Sequence, residues 1–238
     1  WSAGNACSVS LDDANDRLPY NLGEAQIKQL ALSGQFPNWT SPVMSWELDP
    51  DNTNSTLVAR AGLGPYTSQR SVLYRCPSDR VVSDIQAAAG WTERVRSVSM
   101  NAMVGDAGSF SQGGSNVNNP EYRQFFKLAQ IPQPSRIFVL IEEHPDSIND
   151  GYFLNHLDSR RWTDLPASHH RSAGNLTFAD GHLETHRWLD RLTCPPARPD
   201  TAHLPMKVPP GNRDYAWLME HTTVEASPDY NERPSQYP

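Results

Sequence analysis

Glu142-Glu143-His144-Pro145-Asp146-Ser147-Ile148-Asn149-Asp150-Gly151 packs oxygen ligands into a segment that closes on glycine. Carboxylates and carboxamides at that density suit a hard cation such as calcium, with Glu143, Asp146 and Asp150 as candidate ligands. The spacing is not that of an EF-hand loop, which alternates ligands and closes on Glu. The same side chains equally serve a turn-rich loop, where Asp and Asn bond their own backbone. A second group gathers His169, His170, Asp180, His182, Glu184 and His186. Residues 182, 184 and 186 share one face of a strand, because the side-chain period is two. Imidazole and carboxylate on one face could take zinc or another transition metal. The alternative is a solvated polar face on which Glu184 pairs with a neighbouring His or Arg. The pattern is not the helical zinc-protease motif, whose histidines lie four apart.

Other chemistry finds little support. There is no Gly-x-Ser-x-Gly elbow, no phosphate loop and no dinucleotide fingerprint. Cys76 precedes Pro77, nothing in the sequence brings a histidine to it, and a structural role is the simpler reading. The adjacent acids Asp12-Asp13 and Glu142-Glu143 become a glycosidase pair only with the right separation in space. Seven tryptophans (1, 39, 46, 91, 162, 188 and 217) offer either a sugar-binding platform or core packing.

The elements that must carry these residues can be read in outline. Ile137-Phe138-Val139-Leu140-Ile141 is apolar on both faces, which predicts a central strand over 136–142. Asp180-Gly181 between β-compatible arms predicts a hairpin over 175–188 with a two-residue turn. That register sets Phe178 opposite Leu183 and Thr177 opposite Glu184, giving an apolar face of Leu176, Phe178 and Leu183. Helices are expected over Glu24 to Leu32, over Thr56 to Ala61 with Ser55 as cap, and over Tyr215 to Glu220 with Asp214 as cap. Val72 to Cys76 reads as a short strand and Arg94 to Met100 as a weak one. Residues 105–120 read as loop, and Pro195 to Pro210 as extended chain.

Composition bounds the class. The chain has 238 residues, 20 Lys+Arg against 27 Asp+Glu, a net charge of -7 and 20 prolines; mean hydropathy is -0.62. The acidic balance argues against nucleic acid as a partner. The longest apolar run, Ile137 to Ile141, is far short of the roughly 20 residues of a membrane helix. Cys7, Cys76 and Cys194 are too few for a disulfide scaffold, and one bridge or three thiols remain open.

His170, nine residues, then Asp180-Gly181 resembles the His-x9-Asp-Gly signature of a bacterial family of prepilin-like, type II secretion pseudopilin-like proteins. Arg75-Cys76-Pro77-Ser78-Asp79-Arg80 resembles that family's Cys-Pro-x-Asp motif, and Arg96 to Asn101 its Ser-x-x-Met-Asn segment. Asp12 to Pro19, Glu142 to Phe153, Thr185 to Pro195 and Asp214 to Thr223 resemble further blocks in the same order. The resemblance spans roughly residues 10 to 223. It implies an α+β, pilin-like head: one domain over 1–224 with a central antiparallel sheet and long irregular loops, followed by an extended tail, 225–238. The basic leader and long apolar anchor helix of the family do not occur in this sequence, so one sheet face is expected to await that helix.

The resemblance further implies a non-enzymatic subunit of a type II secretion-like or type IV pilus-like assembly. Its partners would be other pilin-like subunits and secretion components, with membrane contact only through the missing helix. Its place would be the periplasm, envelope or outer surface of a Gram-negative-type bacterium. Calcium is the ion the resemblance implies, though no ligand positions carry over from the family; the candidates read from this sequence are Glu143, Asp146, Asp150, His170 and Asp180. Cys76, Pro77, Asp79, His170, Asp180 and Gly181 carry the structural motif, and His170 with Asp180 is expected to pin the hairpin's approach to its turn. The alternatives are a cell-surface carbohydrate-binding module or a metal-dependent hydrolase using the 142–150 loop with His182, Glu184 and His186.

Overall fold

The computed structural model describes residues 16–226. Among the described residues four α-helices, α1 (Glu24–Leu32), α2 (Ser55–Ala59), α3 (Asp84–Ala88) and α4 (Arg213–Glu220), accompany ten strands. The strands are β1 (Val98–Asn101), β2 (Ser111–Gln112), β3 (Ser115–Asn116), β4 (Asn119–Arg123), β5 (Phe138–Glu142), β6 (Tyr152–Phe153), β7 (Arg161–Trp162), β8 (Ala173–Phe178), β9 (Leu183–Arg187) and β10 (Met206–Lys207). The content is α+β. The main sheet runs β6-β1-β5-β8-β9, antiparallel except for the parallel β1–β6 pair. No helix among the described residues is long and apolar enough to cross a membrane.

β5 is the middle strand and all five of its residues are buried, as an apolar run on both faces requires. A bulge between Phe138 and Leu140 sends Val139 and Leu140 into one core and leaves Phe138 and Ile141 for the other. The first core adds Trp39, Val58, Leu63, Tyr74, Val98 and Met100. The second adds Phe153, Trp162, Leu176, Phe178, Tyr215 and Leu218. The expected bare sheet face is therefore not there: loops from the first half of the chain cover one side, and α4 with its neighbours covers the other.

Several local expectations change. Val72–Cys76 is no strand; Ser71–Tyr74 is a 3-10 turn, with Val72 53 % exposed. A short apolar run has no sheet edge to join there, and Pro77 removes a ladder donor. The caps of α2 and α4 are Asn54 and Asn212, not Ser55 and Asp214. Asp214 instead accepts from the Leu189 and Asp190 N–H groups. Residues 111–123 form a small sheet, β2-β3-β4, rather than loop. Gly113 and Gly114, both at positive φ, make the two-residue turn that a twisted hairpin needs. Glu225 still bridges Tyr122, and Ala226 N–H donates to Glu121 O, alongside β4. The rest of the tail, 227–238, and Asp12-Asp13 with Cys7 lie outside the described residues.

The β8–β9 hairpin forms, but one residue out of the expected register. Thr177 pairs with Leu183 and Leu176 with Glu184. Phe178 N–H donates to His182 O, so the turn holds three residues, Ala179, Asp180 and Gly181, with Gly181 at φ +88. A three-residue turn closed by a left-handed glycine is the next commonest hairpin after the two-residue one. A shift of one exchanges the faces. Leu183 is left 45 % exposed, while His182, Glu184 and His186 join the side of Leu176 and Phe178.

Candidate functional site

Three segments distant in sequence meet at the end of β5. Cys76 comes from a turn whose Cys76 carbonyl accepts from Asp79 N–H, with Pro77 at the second position where its fixed φ fits. The Cys76 N–H donates to Ser97 Oγ at 2.6 Å, which ties the turn to the approach to β1. Asp79 is buried and its carboxylate accepts from Val81 N–H, so it shapes this turn. Glu142 is the last residue of β5 and 1 % exposed. His170 precedes a tight turn in which Arg171 and Ser172 both hold positive φ, 56° and 64°, and its N–H donates to Ala173 O. Non-glycine residues in the left-handed region cost free energy, and the turn fixes where the imidazole points.

The side chains converge there. Cys76 Sγ lies 3.4 Å from His170 Nε2, and that nitrogen lies 3.3 and 3.1 Å from the two Glu142 oxygens. Asn175, on β8, donates its backbone N–H to Glu142 Oε2 and its amide to Glu142 Oε1, each at 3.0 Å. Its Nδ2 also lies 3.0 Å from His170 Nε2, and its Oδ1 accepts from the Thr185 hydroxyl. Ser78 N–H approaches Cys76 Sγ at 3.4 Å. Burial, then the nearby Glu142 carboxylate, pushes the Cys76 thiol up. The His170 side chain keeps 30 % of its surface in solvent. One imidazole nitrogen faces thiol, carboxylate and amide together. A nucleophilic triad would instead use both ring nitrogens, one for the thiol and the other for an orienting partner.

The residues singled out in the 142–151 block do not assemble an ion site. Asp146 caps a neighbouring segment, accepting from Trp46 Nε1 and from the Thr201 and Ala202 N–H groups. Asp150 accepts from Glu24 and Tyr152 N–H. Glu143 is fully buried, and desolvation pushes it up to about 7 against the pull of Ser99, Ser147 and Arg96. Buried Arg96 donates to the Val98, Asn149 and Asp150 carbonyls and so locks the loop down. Asp180 meets His182 within its own turn, its Oδ1 2.5 Å from His182 Nδ1, so the expected His170–Asp180 pair is not formed. Among the described residues the one group of three convergent ligands is Cys76, Glu142 and His170. Its sulfur and nitrogen donors are not calcium's all-oxygen set.

The histidines of the strand face stack on aromatic rings, although His182 stays exposed. His182 stacks on Phe178 with centroids 4.4 Å apart, and His186 stacks on Trp217 at 3.6 Å. Trp39, Trp162 and Trp188 are buried in the two cores, whereas Trp46, Trp91 and Trp217 keep part of their surface exposed. Among the described residues Cys76 and Cys194 form no disulfide. Sequence reasoning had no means to join Cys76 to His170 across 94 positions. It named Glu142 in the acidic block but left it out of the candidate ligands, and it passed over Asn175, whose one usable signal was its place at the start of the hairpin. Compared with protein-family models, curated proteins and solved structures, the chain has no match.

Proposed function

We propose that the chain is the head of a pseudopilin-like structural subunit, without enzymatic activity, in a type II secretion-like or type IV pilus-like envelope assembly. The observation that carries this reading is how the residues of the resemblance are used. Asn101 donates to the Phe138 and Thr222 carbonyls, Arg96 to the 149–150 backbone, Asp146 accepts from 201–202, and Asp150 from Glu24. Each polar side chain is spent on the backbone of another segment, which makes long loops rigid around a sheet. Rigid loops on a sheet suit display and subunit contact.

Two surface depressions support the same reading over a hydrolase. One of about 490 Å³ is lined by Tyr122, Arg136, Glu220 and Glu225, and one of about 330 Å³ by Arg75, Trp91 and Glu93. Neither is lined by Cys76, Glu142 or His170, and neither gathers an acid, a base and a nucleophile. Because the chain itself covers both faces of β5, an anchor helix would join the head outside the sheet faces.

Fractionation of cells expressing the complete reading frame tests the proposal. Association with membranes released only by detergent, together with cross-links between copies, is the expected result. Recovery in the soluble fraction as a monomer would overturn it.

A further inference from the structure

We propose that Cys76, Glu142 and His170 form a binding site for a zinc-class divalent ion, which staples the Cys-Pro turn, the end of β5 and the pre-hairpin turn together. The spacing is that of ligands around a common centre. Bonds of about 2.3 Å to sulfur and about 2.0 Å to nitrogen and oxygen give tetrahedral edges of about 3.5 Å for S···N and about 3.3 Å for N···O. The corresponding separations are 3.4 Å and 3.1–3.3 Å, and all three ligand atoms lie within 4.8 Å of one another. Thiolate, imidazole and carboxylate are a borderline-soft set that selects zinc over calcium or magnesium.

The surroundings are those of a supported site. Ser78 N–H stabilises negative charge on the sulfur, and two Asn175 donors orient the carboxylate. Outer contacts of this kind fix and tune metal ligands. A buried carboxylate calls for compensating positive charge, and among the described residues its ion-pair partner is His170. A dication would supply that charge and hold the thiol as thiolate. The exposed flank of His170 gives entry. The Asn175 Nδ2 now lies 3.0 Å from both Glu142 Oε1 and His170 Nε2, so it must turn when the ion enters. Its Oδ1 can then face the ion while Thr185 accepts from Nδ2, since a hydroxyl serves in either role.

Cobalt(II) and zinc(II) titrations of the full chain decide the matter. The expected result is one equivalent of cobalt bound with a sulfur-to-cobalt charge-transfer band, displaced by zinc. Cys76→Ser should abolish the band, and Cys194→Ser should leave it unchanged. His170→Ala, at a partly exposed position, should weaken zinc binding by about tenfold or more. Asn175→Asp supplies a fourth ligand, an anionic one. It should melt lower than wild type in chelator and recover on adding zinc, which a purely structural asparagine would not do. Wild type that binds neither ion, Cys76→Ser that keeps the charge-transfer band, or His170→Ala that binds zinc as wild type does would each overturn the proposal.

Discussion

Asp150 shows how a buried loop residue ties stability to pH. It is 7 % exposed, and desolvation pushes its carboxyl up to about 6 although Tyr152 N–H, Glu24 N–H and Arg96 favour the charged form. A folded-state pKa above the unfolded one means that the native state holds the proton more tightly. The stabilisation is complete below about pH 4 and is lost as pH rises through about 6, an effect on the order of 3 kcal/mol. Burial moves Asp164 the same way. Asp146 opposes them at lower pH: burial raises it, but the Ala202 and Thr201 N–H groups win and lower it, so its contribution disappears in acid below its ordinary range. Urea midpoints are therefore expected to be higher at pH 5 than at pH 8, with a smaller difference in Asp150→Asn. An unchanged difference in the variant would show that Asp150 does not carry the effect. The density of acids in this loop was legible in the sequence. That they bond backbone from residues 24 and 200–202 rather than an ion was not, because those partners arrive from opposite ends of the chain.

At the scale of the element, the β8–β9 hairpin separates what pattern decides from what packing decides. Asp180-Gly181 marks the turn, but a two-residue and a three-residue turn differ by one position, and that position flips every side chain of β9. Apolar pattern alone favours Leu183 inside. In the fold the histidines take that side, because α4 brings Trp217 and His221 to meet them: His186 stacks on Trp217, and His221 packs on Trp217 at 4.1 Å and on the Phe178 edge at 6.0 Å. Leu183→Lys is thus expected to change unfolding free energy by about 0.5 kcal/mol or less. Leu176→Ala, in the second core, should cost about 3 kcal/mol. Chemical denaturation of both variants checks the register, and a comparable loss in Leu183→Lys would restore the two-residue turn. Gly181→Ala meets no neighbour but must adopt φ +88, so a cost of about 1–2 kcal/mol is expected from backbone strain alone.

For the whole molecule the decisive strand is β5, which contributes to both cores. Leu140 faces the first core and Ile141 the second. Truncating either to Ala should cost about 3 kcal/mol and move the entire unfolding transition rather than part of it. Tryptophans report on both sides, Trp39 from the first core and Trp162 and Trp188 from the second. Fluorescence and far-UV circular dichroism should give coincident melts, whereas two separated transitions would mean that the halves fold independently.

The amino-acid order by itself determined the central strand, α1 and the place of the β8–β9 turn. Those features follow from apolar period and turn chemistry, which act over a few neighbouring residues. Only the tertiary structure decided the register of β9, the covering of both sheet faces and the meeting of Cys76, Glu142 and His170. Each of these depends on which distant surface offers the better partner, and a linear pattern carries no record of that competition.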